Sequence, residues 1–219
     1  MTHYKKHDNW EASRVNFLLS ISRAIDWVTT KVGQVMWWVS LFMVLIGTFN
    51  VVTRYAFGFI ANTFGTDVAQ ALSGNRYLSL QTFAYDMIFM LGAAYVLRSD
   101  AHVRVDIVFS SLSKKARAWI DVLGGTLFLI PFALMGIFFS RSYVARSWAS
   151  LEASSDPGGI PLYIVKTLIP ILFYLLIAQA LSEIIKNVAF LRGHPDSRSV
   201  HAVEDNEPTG SVTEKVEAV

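Results

Sequence analysis

Few residues in this chain have both the type and the spacing to do chemistry. In Ala101–Ser110 (AHVRVDIVFS), His102 stands four residues before Asp106, a separation that suits a shared metal or an acid/base pair. Valines alternate there with His102, Arg104 and Asp106, which is the period of a half-buried strand. Asp86 is the one acid near the middle of a long apolar run. Gln179, Glu183 and Lys186 follow one another at separations of four and three, so they share a helix face. Glu152, Ser154, Ser155 and Asp156 lead into Pro157, Gly158 and Gly159, a polar turn with proline and glycine where turns favour them. Other chemistries lack their raw material. Cysteine is absent, which removes disulfides, thiolate nucleophiles and cysteine metal sites together. The histidines, at 3, 7, 102, 194 and 201, lie outside the apolar runs, so none is placed to ligate a haem held between helices. There is no glycine-rich phosphate loop and no Gly-x-Ser-x-Gly elbow. The residues imply no cofactor and point away from an enzyme.

The elements that must position these residues follow from composition. Hydrophobic residues make up 53% of the 219 and charged ones 16%, against about 45–50% and about 25% in a typical soluble domain. A net charge of +2 is too small to argue for a nucleic-acid partner. The apolar excess collects in four runs, at about 32–53, 77–97, 122–140 and 163–191. The first and third are uncharged, the second holds only Asp86, and the fourth has an uncharged centre at Thr167–Ser182. A helix needs about 20 apolar residues to cross roughly 30 Å of hydrocarbon, whereas a buried helix of a soluble protein needs about 10–14. The expected fold is therefore an all-α membrane protein, a bundle of four transmembrane helices. Pro131 predicts a kink in the third helix, and Pro170 is expected near the first membrane-embedded turn of the fourth. Gly92, Ala93, Ala94, Gly124 and Gly125 are small enough to let helices approach closely in lipid.

Orientation follows from Lys and Arg in the loops. Residues 1–31 carry Lys5, Lys6, Arg14, Arg23 and Lys31, and the second loop carries Arg98, Arg104, Lys114, Lys115 and Arg117. The first loop has only Arg54 and Arg76, and the third has Arg141, Arg146 and Lys166. With four spans, this bias predicts both termini in the cytoplasm. The polar start, MTHYKKHDNWEASR, lacks the short apolar core of a signal peptide. Asn9–Lys31 places Leu18, Ile21, Ile25 and Val28 on one face, with Arg14, Arg23, Asp26 and Thr30 mostly on the others. It reads either as an amphipathic helix lying in the membrane interface or as an extension of the first span. The tail, 193–219, is polar and acidic without aromatic residues and is expected to be disordered.

Within this frame each candidate site has a plain alternative. Asp86 either carries a proton or a cation, or makes a structural or subunit contact together with Gln81. Glu183 and Lys186 read as a local ion pair at one end of the fourth helix. Glu152, Ser154, Ser155, Asp156, Gly158 and Gly159 either meet a partner outside the membrane or only return the chain to it. Trp148 and Tyr163 are expected as interface anchors.

LGAAYVLRSDAHVRVDI, LSKKARAWIDVLGG, SWASLEASSDPGGIP, KTLIP and QALSEIIK together resemble the small membrane subunit of TRAP (tripartite ATP-independent periplasmic) transporters. The likeness runs from about Leu80 to Gly193 and is most specific at Gly92–Asp106 and Glu152–Pro161. It is nearest the branch often labelled mannitol/chloroaromatic. Many members enter the second helix through an acidic Trp-Glu-Glu-like segment; here that entry is Tyr77-Leu78-Ser79-Leu80-Gln81, so no role of those acids carries over. The resemblance implies a small permease in a bacterial inner membrane, part of a sodium-coupled system that takes up organic acids. A large multispanning permease would hold the sodium and substrate sites, and a periplasmic substrate-binding protein would deliver the substrate. This chain would then be a membrane scaffold with a possible docking surface at Glu152–Gly159. The competing reading is a stand-alone four-helix proton-coupled exporter working through Asp86.

That topology recasts AHVRVDIVFS. Between the second and third spans it is expected on the cytoplasmic surface, where a lone strand would leave both edges unpaired. A short turn leading into an interfacial helix is expected instead. Arg98, Arg104, Lys114, Lys115 and Arg117 would face lipid headgroups, with His102, Arg104 and Asp106 in structural or large-subunit contacts rather than at a catalytic centre.

Overall fold

The computed structural model describes residues 2–99, 112–154 and 160–193, with the backbone alone for 2–14. The segment around His102, Arg104 and Asp106, the residues Ser155–Gly159 and nearly all of the tail lie outside the described residues. All regular structure among the described residues is helical: α1 (Thr2–Tyr55), α2 (Phe57–Phe64), α3 (Thr66–Leu72), α4 (Asn75–Arg98), α5 (Lys114–Gly124), α6 (Ile130–Ala149) and α7 (Leu162–Leu191). Four stretches are long and apolar enough to cross a membrane: Val15–Tyr55, Thr66–Arg98, Lys114–Ala149 and Leu162–Leu191. The chain is a four-span helical membrane protein, as expected.

The N-terminal segment runs unbroken into the first span as one 54-residue helix. At 1.5 Å per residue α1 is about 80 Å long, far more than the roughly 30 Å of hydrocarbon. Its packed face is not the apolar one. Leu19, Ser22, Thr29, Met36, Asn50 and Thr53 are buried, whereas Leu18, Ile21 and Val28 are exposed. With Asp26 and Gly33 added, the inward residues from Leu19 to Met36 recur every three and four positions, the seam spacing of coiled-coil-like packing, and Gly47, Asn50 and Thr53 continue it at intervals of three further along. This inversion has a physical cause. Lipid tails are as apolar as leucine, so burying leucine between helices gains little, and small or hydrogen-bonding residues take the seam.

Close approach explains two glycines. A Cβ on Gly33 would collide with the Tyr95 ring of α4, and one on Gly136 with the Phe173 ring of α7. Of the small residues singled out by sequence, Ala94 is buried and Gly125 approaches Ile184, but Gly92 and Gly124 face open space. α7 is central: α1 and α4 pack on each other and on α7, while α5 and α6 pack on α7.

The third span is interrupted where Pro131 predicts a kink. Gly125–Leu129 forms a π-turn, in which the Ile130 N–H reaches back five residues to the Gly125 carbonyl. A π-turn is one of the few ways a helix absorbs a local disruption of its ladder. Pro170 lies within α7, eight residues after its start at Leu162. It leaves one carbonyl of that helix without its backbone donor. The segment after α1 is helical too. α2 and α3 form a helical hairpin that turns at Gly65, where φ is +96°, a backbone angle at which glycine carries no Cβ penalty.

Candidate functional site

Two polar clusters stand at opposite ends of the bundle. The first joins α1, α4 and α7 around Asp26. Its Oδ1 accepts from Ser182 Oγ at 2.7 Å and from Gln179 Nε2 at 3.0 Å. Its Oδ2 accepts from Lys186 Nζ at 3.1 Å. Lys186 also donates to Glu183 Oε1 at 2.6 Å, and Gln179 Nε2 reaches the same oxygen at 2.9 Å. Gln179 is fully buried; with its two N–H bonds spent on the carboxylates, its carbonyl oxygen accepts from Thr29 Oγ1 at 2.9 Å. Ser22 and Ser182 share a hydrogen bond at 2.7 Å. From α4, Arg98 donates to Thr30 Oγ1 and lies 4.0 Å from Asp26 Oδ2.

Two acids thus face two bases, and the polar atoms between them are mutually satisfied. That is what a partly dehydrated ion-pair network needs if it is to hold together. The sequence spacing correctly placed Gln179, Glu183 and Lys186 on one face with a Lys186–Glu183 pair. It placed Asp26 off the apolar face of α1 but gave it no role; the structure makes Asp26 the centre of the network. Arg98, expected among the headgroup-facing bases, donates to Thr30 and lies beside Asp26. One signal for Asp26 was available: it falls three or four residues from Ser22, Thr29 and Thr30, in a polar line running along an otherwise apolar helix.

The second cluster closes the α6–α7 connection. Glu152 Oε2 accepts from Ser147 Oγ at 2.7 Å and from Lys166 Nζ. Both bonds favour the charged carboxylate, Lys166 first and Ser147 next, and hold its pKa below the ordinary glutamate value. The Glu152 N–H donates to Ser147 O at 3.1 Å, and Glu152 O accepts from Leu162 N at 3.0 Å. Between them Leu151 takes φ +44°, a left-handed conformation that costs about 1 kcal/mol. The expected anchors are here too: Trp148 Nε1 donates to Thr167 Oγ1 at 2.9 Å and its ring lies 4.7 Å from that of Tyr163. Lys166 also sits 4.2 Å above the Tyr143 ring, a cation–π arrangement.

The remaining sequence candidates are dispersed. Gln81 lies against Gly47 at the α1–α4 seam. Asp86 sits midway along α4, partly exposed, with no hydrogen bond or ion pair among the described residues. Lys114 and Lys115 are exposed, Arg117 donates to the Leu112 carbonyl at 3.1 Å, and Ser154 is partly exposed. Among the described residues no group of three or more histidines or carboxylates could hold a metal ion.

Comparison with known families decides what such a bundle is. The profile described as "Tripartite ATP-independent periplasmic transporters, DctQ component" matches residues 43–190, about two thirds of the chain. The chain belongs to the DctQ family. It is a small permease subunit of a TRAP transporter and a multi-pass membrane protein, and DctQ is a transport component rather than an enzyme family. No curated protein and no solved structure matches it. The matched region takes in Glu152 and the α7 half of the Asp26 cluster, while Asp26 itself precedes it.

Proposed function

We propose that this DctQ-family subunit is the membrane scaffold of a sodium-coupled TRAP system for organic-acid uptake, set in a bacterial inner membrane with both termini cytoplasmic. On this reading it braces the large permease and offers the turn around Ser154, Ser155, Asp156, Gly158 and Gly159 to the periplasmic substrate-binding protein. The observation that carries the proposal is the state of its internal charges. Asp26 and Glu183 are matched by Lys186 and Arg98, so the ion pairs inside the bundle tie helices together rather than await a substrate. Glu152, engaged with Ser147 and Lys166, anchors the chain just before this segment; Asp156 is the residue assigned to partner contact. Lys and Arg counts in the loops support the orientation.

Reconstitution tests the division of labour. Sodium-driven uptake of an organic acid should require this chain, the large permease and the binding protein together. Transport by this chain alone in liposomes would defeat the proposal. Charge reversal at Asp156 should weaken the response to the binding protein more than it lowers expression; unchanged uptake would leave the turn a purely structural return. The exporter reading needs Asp86 to face a substrate path between helices, yet Asp86 is two residues from the buried Ala84, about 200° round α4, and so on the side turned away from that buried position.

A further inference from the structure

That outward position of Asp86 carries an inference that deepens, and rests on, the scaffold reading. α4 has 24 residues, and Asp86 is the twelfth, about 17 Å from either end and so near mid-membrane. The inward side of the helix is settled: Gln81 meets Gly47, Ala84 and Ala94 are buried, and Tyr95 packs over Gly33. On the outward stripe, Thr82 satisfies its hydroxyl within the helix by donating to Leu78 O at 3.1 Å. Tyr85 and Phe89 are exposed and stack with ring centroids 6.5 Å apart. Asp86 is the acid on this stripe, and it has no hydrogen bond or ion pair among the described residues. The outward faces of α1 (Trp38, Leu41, Leu45) and α6 (Phe138, Phe139) are apolar, and lipid satisfies them. Lipid does not satisfy a carboxylate at mid-depth, where ionisable side chains pair or face a protein interior.

We infer that the α4 stripe through Thr82, Asp86 and Phe89 is the docking seam for a transmembrane helix of the large permease that presents a lysine or arginine to Asp86. A second copy of this chain does not fit, because a two-fold contact through this stripe would set Asp86 against Asp86. The aromatic pair beside the carboxylate supplies packing surface and closes the site from lipid.

The absence of native cysteine makes the test direct. Single cysteines at Thr82, Phe89 and, as a control, Phe138 are introduced into this chain, co-expressed with a large permease carrying cysteines along its lipid-facing helices. Crosslinks from positions 82 and 89, with none from 138, are expected. Crosslinks from 138 alone would place the seam elsewhere and overturn the inference while leaving the scaffold role intact. Failure of the unmodified chain to co-purify with the large permease would instead defeat the scaffold reading. In a second measurement, Asp86→Leu should lower recovery of the complex about tenfold, the effect of ~1.4 kcal/mol of lost association, while Asp86→Glu retains it. Undiminished recovery with Asp86→Leu would show that no cation meets the carboxylate and would overturn the inference.

Discussion

The two ends of this bundle both use a lysine–carboxylate pair, and they use it differently. Lys186 and Asp26 are 160 residues apart in sequence, and their side chains keep only 13% and 17% of their surface exposed. Lys166 and Glu152 are 14 residues apart, and Glu152 keeps 37%. The first pair joins the first span to the last, with serine, threonine and glutamine filling the gaps between charges. The second staples one connection to the helix that follows it. Depth and sequence distance together set what each pair does. Breaking a partly dehydrated long-range network leaves a charge stranded between helices, whereas opening a wet local staple leaves two groups that water can solvate.

That contrast predicts a graded set of losses. Lys186→Met should be the most damaging, because it strands Asp26 and Glu183 together. A cost of about 3–5 kcal/mol is expected for removing one partner of a buried pair, seen as a large drop in the detergent melting temperature followed by size-exclusion chromatography. Adding Asp26→Asn to that variant should restore part of the loss; no restoration would mean that Lys186 does not act through Asp26. Next comes Gly33→Val in the same seam, which drives a side chain into Tyr95 and should cost about 1–3 kcal/mol by overpacking. Tyr95→Ala in the same chain should relieve it, and a double variant no more stable than Gly33→Val would place the cost elsewhere. Ser182→Ala removes one buried donor to Asp26 and should cost about 1–3 kcal/mol, toward the lower end because Gln179 and Lys186 remain, read by the same melting assay.

Glu152→Gln should be the mildest for stability and the most telling for pH. Because the folded pKa of Glu152 is depressed below its ordinary 4.5, its stabilisation is complete above that value and is lost as pH falls through the folded pKa. Acidification should therefore loosen the wild-type α6–α7 connection, read as protease cutting near Leu151 or a change in Trp148 fluorescence. The Gln variant should be looser at neutral pH and lack that acid-side transition. An identical transition in both proteins would show that Glu152 does not control it.

Much of the architecture was legible beforehand. Four uncharged or nearly uncharged runs long enough to cross a bilayer admit few other folds. The Gln179–Glu183–Lys186 face was legible because helix spacing is a local property. The faces of α1 were not. The apolar periodicity of Leu18, Ile21 and Val28 marks an inward face in water, but in lipid it does not, and those residues point out. The role of Asp26 was not legible because its partner Lys186 stands 160 residues away in the chain.

By itself, then, the sequence determined the number of spans, the family and the spacing of charges along each helix, because these depend on local composition and on the thickness of the membrane. Only the tertiary structure decided which faces meet. Asp26 finds Lys186 because α1 lies against α7 in one register, Gly33 admits Tyr95 because α4 approaches within a side chain's width, and Asp86 is left facing outward by the same packing. Those pairings join residues far apart in the chain, and the hydrophobic pattern does not encode them where the solvent is as apolar as the side chains.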